Sequence, residues 1–179
     1  MEGLLEQTQA PVWVKEELDR CCQILEKNMG RFEMDFPSAC ATNGKYRIKK
    51  NDDWTNGFWT GMLWMAWQYT GEEKFKTLAQ KNLESFEQRL KDHFILDHHD
   101  IGFLYSLSVG AGWRLLGDEH LKEVFLQAAD VLAARYQEKG GFIQAWGKMG
   151  AENEYRLIID SLLNLPLLYR AWQLSGKES

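Results

Sequence analysis

The chain has 179 residues, 45% of them apolar and 26% charged, a composition that excludes disorder and low complexity and suffices for a buried core. With 21 basic against 26 acidic residues and a net charge of -5, it lacks the positive footprint that DNA, RNA or an anionic membrane surface requires. No nucleic-acid partner and no membrane partner is therefore expected, and the high aromatic share of 13%, with 8 Trp, 9 Phe and 6 Tyr, needs a local explanation.

Glu2, Glu6 and Gln7 interrupt the first fifteen residues, which carry neither a basic leader nor a continuous apolar core, so no signal peptide is expected. Val14, Leu18, Cys21, Cys22, Leu25 and Met29 then fall at helical spacing, predicting an amphipathic helix over Val12 to Asn28. A long connection runs from Gly30 to Asn56. Gly57 to Thr70 follows without a single charge, and its most apolar stretch, Gly57 to Trp67, is too short to span a membrane and carries polar Thr60. Phe75, Leu78, Ala79, Leu83, Phe86 and Leu90 mark a second amphipathic helix, and Leu121, Val124, Phe125, Ala128 and Leu132 a third. Between and after them lie Gly102 to Leu116, charged only at Arg114, and Ser161 to Leu174, charged only at Arg170. A helix apolar on all sides is expected to be buried on all sides. Two adjacent cysteines (Cys21, Cys22) and a third in a loop (Cys40) form neither a disulfide framework nor a zinc set, which makes the reducing cytoplasm the expected location.

The punctuation repeats. Gly57-Phe58 opens one apolar helix and Gly102-Phe103 the next, while Gly71 and Gly117 close them just before acidic residues that start the amphipathic ones. Outer and inner helices in alternation describe consecutive α-hairpins, so the fold class is all-α and the chain is read as a single domain, residues 1-179. Three hairpins leave the concave face of the inner helices without a partner. This predicts an incomplete toroid whose open side is covered by a second half or by an oligomer; a self-contained six-helix bundle is the alternative. The chain ends at Gly176-Lys177-Glu178-Ser179, where a further outer helix is expected to begin.

If the tight turns share one rim, the long loops gather at the other, where functional residues are expected. Asp97-His98-His99-Asp100 lies there; metal binding is disfavoured because adjacent side chains diverge. Asp100 either caps the helix that follows, worth about 1 kcal/mol, or projects over the cavity mouth. Asp160 sits in Leu157-Ile158-Ile159-Asp160-Ser161-Leu162-Leu163, among apolar neighbours that strip solvent from a carboxyl and suit it to a general acid. The competing role is again a helix cap, and Pro166 implies a kink or a later helix start. Most tryptophans are expected in the core. Trp54 and Trp146, in polar loops, are expected to be exposed as platforms for an apolar sugar face.

Three long stretches, Asn51-Asp52-Asp53-Trp54-Thr55-Asn56-Gly57-Phe58-Trp59-Thr60-Gly61, Asp97-His98-His99-Asp100-Ile101-Gly102-Phe103-Leu104-Tyr105-Ser106 and the segment from Arg156-Leu157-Ile158-Ile159-Asp160-Ser161 through Pro166-Leu167-Leu168, resemble the unsaturated glucuronyl hydrolases of glycoside hydrolase family 88. The resemblance runs over nearly the whole chain and about the N-terminal half of the family's domain. It implies three of the six hairpins of an (α/α)6 barrel, and an activity that removes 4,5-unsaturated uronic acid from the non-reducing end of lyase-generated glycosaminoglycan oligosaccharides. By the same resemblance Asp160 matches the acid/base carboxylate, Asp100 the second essential carboxylate, and Trp54, His99 and Trp146 sugar-contacting positions. The implied chemistry is hydration of a vinyl ether: protonation at C4, water addition at C5, and collapse of the hemiketal. The implied partner is thus an unsaturated uronic-acid oligosaccharide, with no cofactor and no metal. Weak or absent activity is expected for half a barrel. The alternatives are the related unsaturated rhamnogalacturonyl hydrolases, and a non-catalytic helical scaffold in which Asp100 and Asp160 are dispensable caps.

Overall fold

A computed structural model of the chain describes residues 11–176. The expectations placed on Met1 to Ala10 and on Lys177 to Ser179 lie outside the described residues. Two compact units make up the chain, one reaching to Glu33 and one starting at Met34. In the first, helix α1 (Val12–Phe32) runs past the predicted end at Asn28 and stops at Glu33, whose φ of 50° breaks the helical path while its N–H still reaches Met29 O.

The second unit begins where a loop is predicted. Strands β1 (Phe36–Thr42) and β2 (Lys45–Lys49) form an antiparallel hairpin there. Asn43 and Gly44 close it at φ 52° and 71°, the left-handed pair that a two-residue hairpin turn demands. The ladder is irregular between Pro37 and Ala41, where Ser38 Oγ accepts the Arg47 N–H at 3.0 Å and donates to Cys40 O at 2.8 Å.

Helices then follow in pairs. Inner helix α2 (Asn56–Thr70) leads to outer helix α3 (Glu73–Lys91). The predicted inner helix Gly102 to Leu116 is α4 (Ile101–Tyr105), a π-helical turn (Ser106–Gly110) and α5 (Ala111–Leu116) in unbroken succession. Outer helix α6 (Glu119–Ala133), the short hairpin β3 (Tyr136–Gln137) and β4 (Phe142–Ile143), a long loop and inner helix α7 (Ser161–Ser175) complete the unit. Gly71, Gly117 and Gly176 end the three inner helices in the left-handed conformation, each sending its N–H back 2.8 Å to the carbonyl of Trp67, Trp113 or Trp172. The same Trp-x-x-x-Gly close thus recurs in every repeat.

α3 packs on α2 and the π turn, while α6 packs on α4, α5 and α7, so the inner helices form the row α2, α4 to α5, α7. The widened π turn lies against Phe125 of α6, where a Cβ at Gly110 would meet the ring at 2.7 Å. Its Ser108 carbonyl takes the buried Trp64 indole N–H at 3.0 Å. Burial on all sides holds for the middle of the row only. Ile101, Leu104, Tyr105 and Val109 are fully buried, but α2 exposes Met62, Met65 and Tyr69, and α7 exposes Leu162, Leu163, Tyr169 and Trp172. The end members of an open row each lack one inner neighbour. No helix among the described residues is long and apolar enough to cross a membrane.

Candidate active site

Asp100 and Asp160 occupy equivalent positions, each one residue before an inner helix. Neither side chain caps its helix, in contrast to Asp118, which accepts the His120 N–H at the start of α6. Both carboxylates turn instead to the ring between them. His99 Nε2 lies 3.5 Å from Asp100 Oδ1 and 3.4 Å from Asp160 Oδ1. Its Nδ1 lies 2.9 Å from Ser161 Oγ. Burial pushes the His99 imidazole below its usual pKa, against the opposing pull of Asp100 and Asp160, so the ring is neutral at pH 7. The Ser161 hydroxyl can donate to Nδ1 or accept from it, so it serves either tautomer of the neutral ring. His99 Nε2 lies between the two carboxyl groups, and His98 Nδ1 accepts the Asp100 N–H at 3.1 Å.

The helix starts are locked together. Asn164 of α7 is buried, accepts the Phe103 N–H at 2.8 Å and donates to Asp160 O at 3.3 Å. Gly102 permits this approach, since a Cβ there would lie 2.5 Å from Asn164 Oδ1 and 2.6 Å from its Cβ. Gly57 makes the same approach one repeat earlier, against the backbone of Phe103 and Leu104. The recurring Gly-Phe start of an inner helix is thus a packing device between consecutive inner helices. α7 does not start later because of Pro166: it begins at Ser161 with i to i−3 bonds such as Leu163 N to Asp160 O at 2.9 Å, and carries the proline inside it.

The predicted platforms are exposed as expected, Trp54 by 44% and Trp146 by 37%, whereas Trp59 and Trp64 are core residues at 2% and 1%. Trp54 stands on Phe58 and Phe103, with ring centroids 6.3 Å and 6.0 Å away. Trp146 pairs its backbone with His98, and the Arg156 guanidinium lies 5.3 Å from its ring centre. The loss of solvent predicted for Asp160 is partial. Its side chain keeps 34% of its exposure, because Ile159, Leu162 and Leu163 beside it face the uncovered side; the Oδ1 atom itself is buried and has no hydrogen-bond partner.

Sequence reasoning missed the support beneath these residues. Arg89 is buried and donates to Asn51 Oδ1, Asp53 O, Phe94 O and Ile95 O at 2.9 to 3.1 Å, fixing the Trp54 loop to the loop before His98. Ser161 and Asn164, the two polar residues in the otherwise apolar first half of α7, are the legible sign of a buried network. Among the described residues, His99, Asp100 and Asp160 are also the one group whose ligand atoms, all within 4.8 Å of one another, have the donor types of a metal site.

Residues 28–179 match the family described as Glycosyl Hydrolase Family 88. The unsaturated chondroitin disaccharide hydrolase of Streptococcus pneumoniae is 47% identical over 95% of this chain and 44% of its own length. The crystal structure of an unsaturated glucuronyl hydrolase from Streptococcus agalactiae superposes with a TM-score of 0.91 at 44% identity, over 97% of this chain and 44% of that one. The glycosaminoglycan-degrading unsaturated glucuronyl hydrolase from Bacillus sp. GL1 gives a TM-score of 0.84 at 44% identity, over 88% of this chain and 42% of that one. These structures are α/α barrels, and the chain spans less than half the length of the relatives it matches. On the match to the family and the shared helical architecture together, this chain belongs to Glycosyl Hydrolase Family 88.

Proposed function

We propose that this chain carries the acid pair and two sugar platforms of a hydrolase that removes 4,5-unsaturated uronic acid from chondroitin-type disaccharides, and forms the N-terminal half of a single barrel domain. The observation that carries the reading is the convergence of Asp100 and Asp160 on one histidine ring nitrogen, with neither carboxylate spent on a helix cap. A scaffold needs no such arrangement. The names of relatives at 46% to 48% identity favour chondroitin disaccharides over rhamnogalacturonyl substrates.

The geometry supports a one-carboxyl proton cycle. Asp160, at the tip of the row and partly open, donates its proton to C4 of the vinyl ether, and positive charge develops at C5 beside the ring oxygen. Asp160, now a carboxylate, takes a proton from the water that adds at C5. The hemiketal opens and releases the partner sugar. Because the bond to oxygen forms at C5 rather than at the anomeric carbon, carboxylate spacing carries no stereochemical message here. Asp100, held by His98 and His99, binds ring hydroxyls and stabilises the charge, worth about 3 kcal/mol in the transition state. His99 keeps the two carboxylates in register. Trp54 and Trp146 receive the sugar.

The exposed apolar residues of α2 and α7 mark where further barrel helices, or a second copy of the chain, cover the site. A half-walled site admits water and orients substrate poorly, so the chain alone turns over slowly or not at all. The cytoplasm suits it, as no disulfide joins Cys21, Cys22 or Cys40. The test is loss of the conjugated-alkene absorbance of unsaturated chondroitin disaccharide, with this chain and with a chimera continuing it into the second half of the Streptococcus agalactiae relative. Turnover by the chimera supports the reading. Turnover of unsaturated rhamnogalacturonyl disaccharide alone transfers it to that substrate, and inertness toward both rejects it.

A further inference from the structure

The loop that carries Trp146 rests on two buried side chains that take no part in the chemistry above. Gln144 is 1% exposed and Arg135 3%. The Gln144 amide nitrogen faces three successive carbonyls, those of Trp146 at 2.9 Å, Gly147 at 3.2 Å and Lys148 at 3.3 Å. Carbonyls only accept, which fixes the orientation of the amide. Its Oε1 then accepts from Gln137 Nε2 at 2.6 Å. Arg135 adds a second set of donors, Nε to Gln144 O at 3.0 Å and Nη2 to Gly147 O at 3.1 Å.

The backbone between these donors and the site is tied on both sides. Ala145 O accepts the His99 N–H at 2.7 Å, and the Ala145 N–H reaches Arg156 O at 2.9 Å. One residue therefore joins the segment that carries His99 and Asp100 to the segment that leads to Asp160. Trp146 follows it directly, and Gly147 turns the chain away at φ 79°. A side chain that grips the carbonyls of residues 146 to 148 thus sets the height and tilt of the Trp146 ring relative to the carboxylates.

We propose that Gln144 and Arg135 are positioning residues that hold Trp146 as a sugar platform and so govern how tightly a uronide ring is bound. The proposal rests on the reading of Trp146 as a substrate contact. Removing the grip leaves the fold's helices in place and frees the platform, because Gln144 and the carbonyls it holds lie in the loop between β4 and α7, and Arg135 lies just past the end of α6.

The test is fluorine NMR on this 179-residue chain labelled with 5-fluorotryptophan, in which the 8 tryptophans report separately and Trp146 is assigned from its loss in Trp146→Phe. Gln144→Met keeps the length and removes the donors; Arg135→Lys keeps the charge and cannot span both carbonyls. In each, the Trp146 resonance is expected to shift and broaden while Trp59 and Trp64 in the core keep their wild-type positions. Gln137→Leu, which releases the Gln144 Oε1 and a longer contact to Met149 Sδ at 3.9 Å but leaves the donors to the three carbonyls, is expected to produce a smaller change of the same kind. An unchanged Trp146 resonance in folded Gln144→Met overturns the proposal; if that variant does not fold, an unchanged resonance in Arg135→Lys does so. Hydrolysis is not part of the readout, so a chain inactive on every uronide whose Trp146 still responds refutes the proposed function and leaves the clamp intact.

Discussion

Replacing Gly102 by Ala should separate the two carboxylate-bearing helices, and the structure sets the size of the effect. The new Cβ would lie 2.5 to 2.6 Å from Asn164 Oδ1 and Cβ, about 1 Å short of ordinary contact at 3.4 Å. Closer still is the Asn164 Cα, which no side-chain rotation moves. Overpacking of this kind costs about 3 kcal/mol, the upper end of the usual range, because backbone must yield. The better helix propensity of alanine returns about 1 kcal/mol, so the net loss is about 2 kcal/mol. With a urea dependence of about 2 kcal/mol per molar, the unfolding midpoint falls by about 1 M. A helix shift of about 1 Å at the acid pair should also lower the turnover of the chimera by about 100-fold. Gly30→Ala is the control: it is a helical glycine whose Cβ would meet nothing within 4 Å, and it should stabilise by about 0.5 to 1 kcal/mol. A Gly102→Ala protein as stable as wild type, with unreduced turnover in the chimera, would refute the idea that this contact sets the spacing of Asp100 and Asp160.

Arg89→Leu leaves four acceptors, that of buried Asn51 among them, without their donor and should cost about 2 to 3 kcal/mol in urea unfolding; a loss below about 1 kcal/mol contradicts the role given to Arg89. His99 is held below its usual pKa by burial, so as pH falls through about 6.5 the unfolded chain binds a proton that the folded chain refuses, and stability drops. The urea midpoints of wild type and His99→Gln should therefore approach one another from pH 7 to pH 5. A constant gap contradicts a buried neutral imidazole; the His120 contribution, raised by its bond to Glu87, is common to both proteins and cancels. Trp54→Ala in the chimera should raise KM about tenfold with little change in kcat, the signature of lost uniform binding, and an equal fall in kcat would make Trp54 part of the chemistry. Excess EDTA should leave turnover unchanged, and a loss restored by a divalent ion would assign His99, Asp100 and Asp160 to a metal.

Helix identity was legible because apolar periodicity and glycine stops are local properties: Gly71, Gly117 and Gly176 close helices as their neighbours predict. Asp100, Asp160, Trp54 and Trp146 stood out from their place in loops and at helix starts, and the resemblance to the family added sugar-contacting and proton-transfer roles to them and to His99. The hairpin at Asn43-Gly44 carries a turn signal of only two residues inside an expected loop, too local to announce the strands around it. Arg89, Arg135 and Gln144 were not legible, because each acts on carbonyls, which every residue has, and only the fold brings those carbonyls together. The full burial expected of all inner helices failed at α2 and α7 because periodicity describes one helix and says nothing about whether a neighbour is present.

The most direct test of the account is the alkene absorbance of unsaturated chondroitin disaccharide in the presence of the chimera and of its Asp160→Asn form. The account predicts turnover with Asp160 in place and a loss of about 100-fold to 10,000-fold with asparagine, the usual weight of a general acid and base. Turnover by Asp160→Asn within a few-fold of the parent would contradict it, and would move the proton donor to another residue.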